Sequence, residues 1–143
     1  MYQYTEFDHA FVHNRAAQFR DQLERWQSGK ISEEEFRPLR LQNGWYVQRY
    51  APMLRVAVPY GEISSAQFRV LARIAREYDE PEAEVYKQAM DIQGKLGTHY
   101  LPTHYAHFTT RTNVQFNWIP LSKAADVMAV SYTHLRAHET KAN

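Results

Sequence analysis

The chain contains no cysteine. That excludes, within its own 143 residues, a disulfide, a zinc–thiolate site, a thiol nucleophile and a thiolate-held iron–sulfur cluster. Nor is there an excess of charge of one sign. Seventeen Lys and Arg face 16 Asp and Glu, a net +1, so no global field recruits nucleic acid or an acidic membrane. No apolar run approaches the ~20 residues that span a bilayer. The opening Met1-Tyr2-Gln3-Tyr4-Thr5-Glu6 has no basic segment followed by an apolar one. No export signal is therefore expected, and the cytoplasm is the expected compartment. What is present, 44% hydrophobic and 23% charged residues, suits one globular domain with a modest core.

The most informative stretch is His107-Phe108-Thr109-Thr110-Arg111-Thr112-Asn113-Val114-Gln115-Phe116-Asn117-Trp118. Side chains alternate between the faces of a strand. Phe108, Thr110, Thr112, Val114, Phe116 and Trp118 are aromatic or β-branched and suit a packed face. His107, Thr109, Arg111, Asn113, Gln115 and Asn117 all carry hydrogen-bonding groups. One long strand is expected, with a core face and a polar face. The polar face fits either solvent or an anionic ligand; the absence of Lys and Glu from the row favours the ligand.

Elsewhere, Val12, Ala16, Phe19, Leu23 and Trp26 recur at helical spacing and predict a helix over about 8–26. Gly29 suits its left-handed cap. Ser32 and Glu35 form a capping box opening a short helix that carries Phe36 and ends near Pro38. Asn43-Gly44 marks a turn, after which residues 45–59 are expected as one strand. On it Leu54, Val56 and Val58 share one face, Met53, Arg55 and Ala57 the other. Ser64 or Ser65 caps a helix through Tyr78, striped by Phe68, Leu71, Ala75 and Tyr78. Its Arg69, Arg73 and Arg76 form a solvated outer side. Asp79-Glu80-Pro81 opens a further helix bearing Val85, Ala89, Ile92 and Leu96. A loop over 98–105 and a last helix over about 123–128 complete the pattern. It predicts an α+β fold, an incomplete β-α-β-α core preceded by a helical hairpin. Two strands make a poor sheet, so part of the sheet is missing from this reading. His9 with His13, and His134 with His138, share helical spacing, but no carboxylate–histidine framework supports them and no metal site is expected.

The stretch Tyr105–Trp118, together with Met53-Leu54-Arg55-Val56-Ala57-Val58-Pro59-Tyr60-Gly61 and the lead-in Phe36-Arg37-Pro38-Leu39-Arg40-Leu41-Gln42-Asn43-Gly44, resembles the nitrite and sulfite reductase haemoprotein family. The resemblance is to its first ferredoxin-like half-domain and covers roughly residues 5–128, interrupted at 80–104. It implies a helical extension over 1–42, a half-domain over 43–128 and a tail over 129–143 that resembles an adapter-derived, non-native sequence. It also implies sirohaem coupled to a 4Fe–4S cluster and six-electron reduction of sulfite to sulfide or nitrite to ammonia. Arg55 would then lie near the haem and its anion, as a catalytic and cofactor-binding residue. Thr109, Arg111 and Gln115 would meet the haem carboxylates, with Asn113 and Asn117 beside them; Asn117 stands where relatives often have His. Arginine pairs carboxylates through charge-assisted, often bidentate bonds.

The family's cluster cysteines, its later arginine and its paired lysines have no counterpart here. The resemblance therefore implies an N-terminal fragment, inactive alone. Its partners would be the rest of the reductase and a ferredoxin or flavoprotein electron donor, with neither nucleic acid nor membrane. The rival reading is a stand-alone ferredoxin-like module binding a ligand or single-stranded RNA; a structural module that has lost its haem is a third.

Overall fold

The computed structural model describes residues 5–48, 51–97 and 100–134. It opens with helices α1 (Glu6–Gln27) and α2 (Glu33–Gln42), each started by a complete capping box, Thr5 with Asp8 and Ser32 with Glu35. Strands β1 (Trp45–Val47) and β2 (Pro52–Ala57) follow, then helices α3 (Ser65–Tyr78) and α4 (Ala83–Lys95). Strands β3 (His107–Phe108) and β4 (Asn113–Phe116) and helix α5 (Ala124–His134) complete the order. The fold is α+β, with a 4-stranded antiparallel sheet in the order β1-β2-β4-β3.

Each of the two expected strands is in fact a hairpin, which supplies the strands the sequence pattern lacked. Residues 45–59 reverse between Gln48, whose N–H donates to Ala51 O at 3.0 Å, and Pro52. Residues 107–118 reverse over 109–112, where Thr109 N–H donates to Asn113 O at 2.9 Å. Three helix boundaries also differ from the apolar spacing. Helix α2 runs through Pro38 to Gln42. A proline there forfeits one backbone bond, and buried Arg40 ties the far end to Glu33 (3.0 Å) and to Trp45 O (3.2 Å). Helix α4 starts at Ala83, because Asp79 turns inward instead of capping it. Helix α5 continues past Met128 to His134, with Val130 packed on the core and the buried Ser131 hydroxyl donating to Val127 O at 2.9 Å. His138 and the remainder of the tail lie outside the described residues.

One face of the sheet meets the helices. Trp45, Leu54, Val56, Val114 and Phe116 join Phe19, Leu23, Phe36, Leu71, Ile74, Val127 and Met128 in a single apolar cluster. Phe36 stacks on both Phe19 (6.0 Å between centroids) and Trp26 (4.8 Å), and α5 packs on both α1 and α3. The N-terminal hairpin is thereby part of the same core as the sheet. Among the described residues no helix is long and apolar enough to cross a membrane.

Candidate functional site

Strand alternation decides what the other face presents. Arg55 pairs in register with Gln115, which pairs in turn with His107. One row thus runs guanidinium, amide, imidazole across β2, β4 and β3. Paired residues of an antiparallel sheet share a face, so Tyr46 opposite Met53, and Asn113 opposite Ala57, flank that row.

Arg55 is half-buried at the centre. Its guanidinium carbon lies 5.0 Å from the centroid of the Tyr46 ring, a cation–π contact. Among the described residues its Nε is buried without a hydrogen-bond partner. At the other end of the face, Asn117 Nδ2 donates to the Tyr105 hydroxyl at 2.9 Å, and the Tyr105 ring stacks on His107 at 6.2 Å and 20°. Gln115 and Asn117 are half-buried, and His107 is exposed.

The site residues expected from sequence divide into two groups. Arg55, Asn113, Gln115 and Asn117 share the polar face, while Thr109 and Arg111 belong to the turn at its edge. The Thr109 hydroxyl donates to Asn113 Oδ1 (2.9 Å) and accepts from Arg111 N–H (3.2 Å), and Asn113 Nδ2 donates to Arg111 O (3.3 Å). Both side chains therefore lock the turn, leaving the Arg111 side chain exposed at its tip. Thr112 takes φ 53°, a left-handed conformation rare for a β-branched residue. The expected packed parity holds from Val114 onward. Phe108, in register with Val114, keeps that face but is exposed on the edge strand β3, while Thr110 and Thr112 are exposed in the turn. Phe108 stacks on Phe68 of α3 at 6.0 Å.

Tyr46 and Tyr105 escaped the sequence reading. Tyr46 aligns with Met53 only once the first hairpin is recognised, and Tyr105 lies in the loop just before β3. Asp79 escaped too. Its fully buried carboxylate accepts from Tyr105 N–H and from Trp118 N–H, both at 3.0 Å, and its carbonyl accepts from His104 N–H at 2.8 Å. It clips together the two ends of the β3–β4 hairpin. Burial raises its pKa above the ordinary 3.8, opposed by the bonds from Tyr105 and Trp118 and by the nearby His104. Among the described residues no cluster of His, Cys, Asp and Glu is placed to hold a metal ion.

Residues 46–85 match the model of the nitrite/sulfite reductase ferredoxin-like half domain. The matched segment contains Tyr46, Arg55 and all of α3, and ends before the second hairpin. Neither a curated protein nor a solved structure matches the chain. Over this segment the chain is similar to the ferredoxin-like half domain of the nitrite/sulfite reductases.

Proposed function

We propose that this chain supplies a ligand-bearing sheet of a sirohaem-dependent sulfite or nitrite reductase. Its polar face would hold the carboxylates of the macrocycle and the anion to be reduced. The row Arg55–Gln115–His107, with the buried, unpartnered Arg55 Nε, carries the reading. An unpaired buried donor costs free energy until an acceptor meets it, and a carboxylate or oxyanion meets it with a charge-assisted bond. The residues present thus fit a polycarboxylate ligand. They do not fit an iron–sulfur cluster, since the chain offers no thiolate to hold one. The cluster and the contacts of a ferredoxin or flavoprotein donor belong to the remainder of the reductase.

Each residue then has a separate task. Arg55 binds negative charge and keeps it at the centre of the sheet. Gln115 and Asn117 orient the ligand through neutral hydrogen bonds, adding no charge of their own. Thr109 and Asn113 hold the turn that presents Arg111, which adds a second guanidinium from the edge. When bound, sirohaem supplies the electron-transfer chemistry for the six-electron reduction of sulfite or nitrite. Against an RNA-binding module stands the engagement of the face's rings: Tyr46 is covered by Arg55, and Tyr105 by His107 and Asn117. Base stacking needs such rings free.

The test is titration of the full chain with sirohaem, followed by its visible absorption, alongside the variants Arg55→Ala and Arg111→Ala. Arg55→Ala is expected to weaken binding about 10- to 100-fold, the worth of a hydrogen bond to a charged group. Arg111→Ala, at the exposed tip, is expected to cost less. Unchanged affinity in both variants, or tight salt-sensitive binding of a random oligonucleotide in place of sirohaem, would overturn the proposal.

A further inference from the structure

We infer that Tyr46 is the positioning residue for Arg55: its ring fixes the guanidinium without neutralising it, so that the full positive charge stays available to an anionic ligand. The inference rests on the proposed role of Arg55 and concerns how that role is achieved.

A long cationic side chain at a binding face needs a partner that limits its rotamers. A carboxylate is the usual one, but a carboxylate competes with an anionic ligand for the same donors. Among the described residues the ion pairs Arg20–Asp126, Arg40–Glu33 and Arg73–Glu77 all lie elsewhere. Arg55 instead lies over a ring at 5.0 Å. A ring quadrupole attracts the cation while leaving its N–H donors free to bond in their own plane. The buried Nε without a partner is what such an arrangement leaves behind.

The backbone supports the same alignment. Arg55 N–H donates to Gly44 O at 2.9 Å, and Gly44 takes φ 78° in the turn between α2 and β1. That turn brings β1 alongside β2 in the register Tyr46↔Met53, two positions before Arg55 and on the same face. The edge strand β1 is short, and Tyr46 is the residue it contributes to the polar face. Main chain and side chain of Arg55 are therefore held by one segment, residues 44–46.

The experiment compares Tyr46→Phe, Tyr46→Leu, Tyr46→Glu and Arg55→Ala in the full chain, using sirohaem affinity as the readout and circular dichroism to establish folding. Tyr46→Phe keeps the ring and is expected to bind like the parent. Tyr46→Leu is expected to bind about tenfold more weakly, the range of a partly desolvated cation–π contact. Tyr46→Glu supplies the competing carboxylate and is expected to bind most weakly of the three. Should Tyr46→Leu fail to fold, the Phe and Glu variants still decide between the outcomes. Parent-like affinity in folded Tyr46→Leu or Tyr46→Glu, with Arg55→Ala impaired, overturns the role of Tyr46 and leaves that of Arg55 intact. Parent-like affinity in Arg55→Ala overturns both.

Discussion

Two charged residues of this chain, Arg55 and Asp79, owe their roles to burial, and they were legible in the sequence to different degrees. Arg55 interrupts an alternating run of aliphatic residues, and its parity alone places it opposite the core. Asp79 follows a helix and precedes Glu80-Pro81, a context in which an aspartate ordinarily caps the next helix. Nothing local signals that its carboxylate reaches Tyr105 and Trp118, which lie far along the chain. The consequence for stability is specific. Because burial raises the folded pKa of Asp79 above its unfolded value, its contribution is complete below the unfolded value. It declines as pH rises through the folded one. Asp79→Asn removes this slope and leaves one buried N–H without its acceptor, at a cost of about 1–3 kcal/mol. Denaturant melts from acid to neutral pH are expected to show the deficit of the variant largest on the acid side, narrowing toward neutrality. A deficit that widens toward neutrality would mean that the hydrogen bonds outweigh burial.

At the scale of elements, helices were read better than strands. The stripes of α1 and α3, the capping box at Ser32 and the cap at Ser64 are each built from residues a few positions apart, so the local sequence specifies them. The second hairpin is hidden because its turn, residues 109–112, contains neither glycine nor proline. Thr112 occupies the left-handed region at φ 53°, held there by its own carbonyl accepting from Val58 N–H at 2.8 Å and by the Thr109–Asn113 lock. A non-glycine residue in that conformation stores about 1–3 kcal/mol, of which a glycine gives back part through its freer unfolded state. Thr112→Gly is accordingly expected to stabilise the fold by about 1 kcal/mol, read as a higher denaturation midpoint. A lower midpoint would show that the threonine side chain contributes more than its backbone costs. The polar row itself was half legible: alternation placed Gln115 and Asn117 correctly relative to Val114 and Phe116, but could not know that Thr109 and Arg111 sit beyond a reversal.

For the molecule as a whole, the N-terminal helices and the sheet share one core. Phe19 of α1 is fully buried beside Phe36, and α5 packs on both α1 and α3. Unfolding is therefore expected as a single cooperative transition, with the hairpin melting together with the sheet. Phe19→Ala, which empties the centre of that cluster, is expected to cost about 3–5 kcal/mol. A variant whose α1 signal melts first, while the sheet keeps its midpoint, would show that the hairpin is a separate unit. This division of the fold leaves the polar face of the sheet opposite the shared core, with Tyr46, Arg55, Gln115, Asn117 and His107 along it. The most direct measurement is an amide-resolved NMR titration of the chain with the metal-free, diamagnetic macrocycle of sirohaem. Shifts are expected to concentrate at Tyr46, Arg55, His107, Gln115 and Asn117 and at the turn around Arg111, leaving α1 and α5 unmoved. Shifts centred on the Phe68–Phe108 side, or none at all, would contradict the assignment of the polar sheet face as the ligand surface.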